Sequence, residues 1–200
     1  MILSGNRIDV AVFQESKAGK HLCGDSYYFH EAEEECICAI ADGLGSGILA
    51  RDSSQAVIDA IQQHRHKSIE AIMKHCSQVL VNRRGAVLGI MKIDFKTKVV
   101  TFTSVGNIGI VIYSRDGKKT RHIPSPGYLS GYRRSFQLSR RKIDIPSTIF
   151  MFSDGVKNEQ QFDHLSRLPS SGEIVDWFSS SQYEKPEDDT TLLVMKYIST

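Results

Sequence analysis

Aspartate residues recur at the borders of apolar segments in this 200-residue sequence, and they are the residues best suited to chemistry. Five of them lie just before or after such a segment: Asp25, Asp42, Asp154, Asp188 and Asp189. A single aspartate after a strand is typically a turn former. Several carboxylates that meet at one edge of a sheet, however, repel each other unless cations lie between them. Because carboxylate, carbonyl and water oxygens suit Mg²⁺ or Mn²⁺, the pattern indicates a divalent-metal site.

The segments around these aspartates predict blocks of short strands with paired helices between them. Helical spacing of apolar residues is found at 48–64, 68–81 and 172–180. Runs suited to strands lie at 1–13, 26–30, 35–41, 86–95, 99–105, 108–114, 119–123, 135–143, 148–153 and 191–197. Short connections between most strands favour hairpins. We therefore predict an α+β fold, with two antiparallel sheets and helices packed outside them, as one domain over residues 1–200.

Composition narrows the class of protein. With 25 basic and 23 acidic residues the net charge is +2, which gives no reason to expect a nucleic-acid partner. No apolar run approaches the ~20 residues that span a bilayer, and the N-terminus lacks the apolar core of a signal peptide. The four cysteines form no Cys-x-x-Cys pair, so we expect reduced thiols and no zinc site. We expect a cytoplasmic monomer with no membrane partner.

Five short motifs occur in a set order along the chain. They are Gly24-Asp25, Ala41-Asp42-Gly43-x-Gly45, Ser104-Val105-Gly106-Asn107, Phe152-Ser153-Asp154-Gly155 and Asp188-Asp189-x-Thr191. Each motif alone is common, but the ordered set resembles the metal-dependent PPM protein phosphatases over about residues 20–197. This resemblance implies a four-layer αββα sandwich that hydrolyses phosphoserine or phosphothreonine with two divalent ions, Mn²⁺ or Mg²⁺. Two such ions activate water and neutralise phosphoryl oxygens, so no covalent enzyme intermediate is needed.

The resemblance also implies a role at the metal site for each aspartate of the motifs. Asp42 is expected to bridge both ions, with the Gly43 carbonyl on one of them, since a glycine there allows a tight turn. Asp25 is expected to contact metal directly or through water. Asp154 and Asp188 are expected to hold the other ion. Asp189 stands where many relatives have asparagine, and it is expected to support the site from behind the ligands.

Three further positions bear on catalysis. Lys20 lies where many relatives have a phosphate-binding arginine, and it completes the predicted catalytic set with Asp42 and Asp154. A lysine there acts as a point charge, without the forked geometry of arginine. Leu44 occupies a position at which many eukaryotic relatives carry a proton-donating histidine. Thr191 is expected to orient the Asp188 loop.

The substrate class follows from a narrower resemblance. The short chain and the Gly-Tyr-Leu-Ser-Gly segment at 127–131 resemble small bacterial phosphatases that act as negative feedback on the general stress response. This implies a phosphorylated regulatory protein as substrate, such as a stressosome scaffold protein with a STAS domain. Tyr128, Tyr132, Arg133 and Arg134 are candidate docking residues, although the segment also fits an ordinary solvated connection.

Three alternatives stay open at this stage. The first is a phosphatase that acts on an anti-sigma-factor antagonist. The second is a PPM-fold binding module without activity, which the presence of all the expected aspartates disfavours. The third is an unrelated metal-dependent hydrolase of small phosphoesters.

Overall fold

The computed structural model describes residues 2–4, 6–132, 135–181 and 186–198, with side chains from residue 6 onward. The strands are β1 Ile2–Ser4, β2 Ile8–Glu15, β3 Asp25–Glu31, β4 Glu35–Gly43, β5 Ala86–Asp94, β6 Val99–Val105, β7 Gly109–Tyr113, β8 Lys119–Arg121, β9 Ser139–Lys142, β10 Ser147–Phe152 and β11 Thr190–Tyr197. The α-helices are α1 Ile48–His64, α2 Ile69–Val79, α3 Phe162–Leu165 and α4 Ser171–Ser180, and a 3-10 turn at Glu159–Gln161 precedes α3.

The described strands form two antiparallel sheets. One has the order β1-β2-β11-β10-β7-β8, and the other has the order β3-β4-β5-β6-β9. In the first sheet β11 lies between β2 and β10, so the segment nearest the C-terminus is a central strand. In the second sheet β4 lies between β3 and β5.

Three apolar layers hold the sheets and helices together. A central core between the sheets contains Ile40, Met91, Phe102, Met151 and Tyr197, each 0–1% exposed. A second layer joins α1 and α2 to the five-stranded sheet, and a third joins α3 and α4 to the six-stranded sheet. The predicted α+β fold, a four-layer αββα sandwich, is therefore confirmed.

Most predicted elements are confirmed, and the differences have local causes. The strand predicted at 35–41 continues through Gly43, because Asp42 and Gly43 still pair with Val87 and Ala86 of β5. The strand predicted at 135–143 is only four residues long. The predicted N-cap of α2 is present, since the Ser68 hydroxyl accepts a hydrogen bond from the Ala71 N–H at 3.3 Å.

Residues 159–165 had no prediction, because a four-residue helix is too short to show helical periodicity. None of the described helices is both long and apolar enough to cross a membrane.

Candidate active site

Asp25 and Asp42 face each other across two neighbouring strands. Asp25 opens β3, Asp42 is the last residue but one of β4, and the antiparallel register pairs them directly. Directly opposed residues have Cβ atoms roughly 4.5–5.5 Å apart, and like charges there are destabilising. The side chain of Asp25 is fully buried, and neither of its carboxylate oxygens has a hydrogen-bond partner.

Burial and mutual repulsion raise the pKa values of both carboxyls. Burial raises the pKa of Asp42 to about 8, and the charges of Asp25, Asp154, Asp188 and Asp189 add to the effect. Burial also raises the pKa of Asp25 to about 6, against the opposing influence of the nearby Ser153 and Thr191 hydroxyls. Two opposed carboxyls with raised pKa values form a site that favours bound cations or protons.

Asp154 reaches the same edge from the other sheet. It lies two residues beyond β10, where it is exposed and its carboxylate accepts a 2.7 Å hydrogen bond from the Asn107 amide. Partial burial of the carboxyl, followed by the charge of Asp188, raises its pKa, while Lys157 and Asn107 act in the opposite direction. The site thus lies at the sandwich edge where strand ends of both sheets meet.

Asp188 and Asp189 play different parts despite being neighbours. Asp189 is buried, and its carboxylate accepts hydrogen bonds from the Gly24 N–H at 2.8 Å and the Lys17 N–H at 2.9 Å. It therefore ties the loop before β3 to the segment before β11. Asp188 is exposed and lies 4.0 Å from the Lys17 ammonium, so its carboxylate is the more accessible of the two.

Glycine is required at position 43 because helix α1 packs closely against it. A Cβ at this position would lie 1.9 Å from the Ala50 carbonyl oxygen. The expectation that Gly43 makes a tight turn was wrong, because Gly43 lies within β4 and the positive φ angles belong to Gly45 and Gly47. Whether its carbonyl binds metal stays a prediction.

Lys20, the predicted phosphate-binding cation, lies in the loop between β2 and β3. The residue is exposed, and its main chain is held by Lys17 and Ser16. Among the described carboxylates, none forms an ion pair with its ammonium group within 4.0 Å. Its catalytic role stays a prediction.

Leu44 and Thr191 have structural partners. The Leu44 side chain packs against the central core, so an apolar residue there has a packing role. The Thr191 hydroxyl accepts a hydrogen bond from the Gln14 amide at 3.0 Å. The Thr190 hydroxyl donates to the Asp188 carbonyl at 2.9 Å, and orientation of the Asp188 loop by Thr191 stays a prediction.

The donor set fits divalent cations. Asp25 has two buried carboxylate oxygens without hydrogen-bond partners, and binding of a hard cation would satisfy them. No three His, Cys, Asp or Glu side chains in the described ranges are already close enough together to hold an ion. Such spacing is expected for carboxylates that repel one another.

The sequence prediction missed the residues that support the aspartates. Asn107 lies in a quoted motif but had no assigned role, although it donates to Asp154. Gln14 donates to both the Asp25 carbonyl and Thr191. The Arg51 guanidinium donates to the Asp25 carbonyl at 2.6 Å. No local pattern marks these residues, because their partners lie far away in the sequence.

The two-sheet αββα sandwich with aspartates at one edge is typical of one class of protein. Sequence comparison identifies the family within that class. The family Stage II sporulation protein E (SpoIIE) matches residues 32–198, and the chain belongs to this family. The phosphoserine phosphatase RsbX of Bacillus subtilis (strain 168) is 34% identical over 186 residues, which are 93% of this chain and 94% of RsbX.

Solved structures agree with this assignment. A crystal structure of RsbX in complex with magnesium has a TM-score of 0.92 and 32% identity, covering 98% of each chain. A protein from a study of the bacterial stressosome has a TM-score of 0.85 and 23% identity, covering 95% of this chain and all of its own. The PP2C phosphatase domain of SpoIIE from Bacillus subtilis has a TM-score of 0.82 and 20% identity, covering 97% of this chain and 64% of its own. The predicted family is confirmed.

Proposed function

We propose that this chain hydrolyses phosphoserine or phosphothreonine on a regulatory protein, with two divalent ions held at the aspartate edge. The proposed substrate is a phosphorylated stressosome scaffold protein with a STAS domain, and the effect is negative feedback on the general stress response. Similarity to RsbX over nearly the whole of both chains supports the activity. A protein from a study of the bacterial stressosome has the same fold, which supports this class of substrate.

One observation carries the metal dependence. Asp25 is fully buried, lies opposite Asp42, and has no hydrogen-bond partner for either carboxylate oxygen. A buried carboxylate without a partner is costly, and its cost disappears when a cation binds. The magnesium complex of RsbX, at 32% identity, supports a divalent ion as that cation.

The ligands we propose are Asp25, Asp42, the Gly43 carbonyl, Asp154 and Asp188. Ions bound there supply an activated water and neutralise the phosphoryl oxygens during attack on phosphorus. Asp189 holds the main chain of Gly24, and so keeps Asp25 at its place beside Asp42. The Asn107 amide orients Asp154. These supporting contacts fix the carboxylates, which lowers the cost of assembling the site.

In the reaction, water adds to phosphorus and the bond from phosphorus to the serine oxygen breaks, which releases inorganic phosphate. The leaving serine oxygen needs a proton. Leu44 cannot donate one and is packed against the central core. We therefore assign that proton to solvent at the exposed site.

The test uses a STAS-domain protein phosphorylated on serine, with release of inorganic phosphate as the measurement. We expect release that needs Mn²⁺ or Mg²⁺ and stops when a chelator is added. An aryl phosphate serves as the comparison substrate, and we expect slower turnover on it than on the phosphoprotein. Equal efficiency on both substrates would contradict a dedicated protein phosphatase, and turnover that survives chelation would contradict the metal site.

A further inference from the structure

The aspartate edge lacks an obvious positive charge for the phosphate group of the substrate. Five carboxylates surround it, and a phosphoserine adds close to two further negative charges. Two divalent ions do not balance that total. An additional cation near the site would lower the cost of bringing the phosphate in.

Two cations near the edge are already engaged. The Lys17 ammonium lies 4.0 Å from Asp188. The Arg51 guanidinium is used on the Asp25 carbonyl. Lys20 is exposed and forms no ion pair with the described carboxylates.

Arg84, like Lys20, forms no ion pair with the described carboxylates, and it differs from Lys20 in its position. It lies just before β5, in which Ala86 pairs with Gly43 and Val87 pairs with Asp42. The Leu44 N–H donates to the Gly85 carbonyl at 3.1 Å, so the segment that carries Arg84 is bonded to the turn that follows Asp42.

The Arg84 guanidinium lies against that turn. A Cβ at Gly45 would come within 2.5 Å of Arg84 Nη1, and Gly45 has a φ of +93°. Glycine at this position therefore leaves the space that the guanidinium occupies. Arg84 also lines a cleft of about 300 Å³, together with Leu49, Asp52, Ser53, Asn82 and Arg83.

The guanidinium of Arg84 is free to bind a ligand. No described carboxylate lies within ion-pair distance of it, and no hydrogen bond to the described residues uses its N–H groups. Its neighbour Arg83 is different, since it donates to the Val79 carbonyl at 3.1 Å and to the Asp52 carbonyl at 3.2 Å. Two adjacent arginines thus differ in whether their donors are already used.

We infer that Arg84 binds the phosphoryl group of the substrate, the task that the family resemblance led us to expect of Lys20. The inference rests on the proposed phosphatase function and names the residue that recognises the phosphate. A guanidinium offers paired N–H groups that match two phosphoryl oxygens, which a lysine does not. Its place beside the loop at residues 44–47, which joins β4 to α1, lets it approach a phosphate from the side of the five-stranded sheet.

The test compares Arg84→Ala and Arg84→Lys with Arg83→Ala. Three quantities are measured: binding of inorganic phosphate in the presence of Mg²⁺, kcat/KM on an aryl phosphate, and kcat/KM on the phosphoprotein. We expect Arg84→Ala to weaken phosphate binding and to lower both kcat/KM values by about tenfold to a hundredfold. Arg84→Lys should recover only part of the loss, and Arg83→Ala should stay within about twofold of wild type.

Two results would overturn the inference. One is unchanged phosphate binding in Arg84→Ala. The other is a loss of kcat/KM on the phosphoprotein alone, which would mean that Arg84 contacts the peptide next to the phosphate and not the phosphate itself. Melting temperatures check the folding of each variant, and Arg84→Lys keeps the test decisive if the alanine variant is unstable. Failure of the proposed function gives a different result, in which wild type itself releases no phosphate while phosphate binding still reports on Arg84.

Discussion

Asp25 and Asp42 lie directly opposite each other at the ends of two neighbouring antiparallel strands, and the buried member of the pair has no hydrogen-bond partner. Their repulsion opposes folding in the absence of cations, and the same repulsion favours cation binding. The arrangement therefore lowers the stability of the metal-free protein and raises the affinity of the site for cations.

The variant Asp42→Asn should abolish turnover while the fold is retained. The substitution is nearly isosteric, but it removes the charge that we assign to both ions. We expect phosphate release from the phosphoprotein to fall by at least about a thousandfold, which corresponds to about 4 kcal/mol in the barrier. Asp176→Asn, at an exposed position on α4, is the matched control and should behave as wild type. Wild-type rates in Asp42→Asn with Mn²⁺ present would rule out the two-ion site.

Divalent ions should raise the melting temperature of the protein. At ~100 times the dissociation constant, one site that binds only the folded state adds about 2.7 kcal/mol to the free energy of unfolding. In the double variant Asp42→Asn/Asp154→Asn the added stability should largely disappear. The measurement is a thermal unfolding series with increasing Mn²⁺, and an equal shift in the double variant would mean that the ions bind elsewhere.

Gly43→Ala should destabilise the fold strongly. The added methyl group would lie 1.9 Å from a main-chain oxygen of α1, which cannot move without shifting the helix. We expect a loss of about 3 kcal/mol or more in the free energy of unfolding, measured with urea. Gly117→Ala is the control, since its Cβ enters open space and only its φ of 78° is unfavourable. That variant should lose roughly 1–2 kcal/mol, and an equal loss in the two variants would show that the contact with Ala50 is not what requires glycine.

Tyr132→Ala should reduce activity on the phosphoprotein alone. The residue is 81% exposed, while the Tyr132 carbonyl accepts a 2.8 Å hydrogen bond from the Ser77 hydroxyl. This hydrogen bond fixes the main chain, and the ring is available to contact a partner protein. Arg133 and Arg134, predicted to dock with it, lie outside the described residues.

We expect kcat/KM on the phosphoprotein to fall by about tenfold in Tyr132→Ala, with the aryl phosphate unaffected. Tyr132→Phe, which keeps the ring, should retain most of the activity. Equal losses on both substrates would show that the segment supports the catalytic site, and no loss on either would remove it from the interface.

The fold could be predicted from the sequence wherever a strand or helix has its own pattern. The strand predicted at 99–105 is β6 residue for residue, and α1 is likewise as predicted. Residues 135–138 were predicted as strand but are held by contacts between loops and side chains, such as Gln137 with Ser125 and Thr103. Division of the strands between two sheets could not be predicted from local patterns, because it depends on long-range packing.

The aspartates of the candidate site could be predicted because each one adjoins a strand end, which is visible in the sequence. The supporting residues could not. Asn107 contacts a residue 47 positions away, and Gln14 contacts one 177 positions away. The difference between Arg83 and Arg84 is also invisible in the sequence, since it depends on which carbonyls lie within reach.

The position of β11 has a consequence for synthesis of the protein. This strand lies between β2 and β10 in the six-stranded sheet, and the segment just before it carries Asp188 and Asp189. While this strand is absent from the sheet, β2 and β10 have unpaired edges and Asp189 cannot hold the Gly24 loop. The proposed metal site is therefore expected to form only after Thr190–Tyr197 has been made and has joined the sheet.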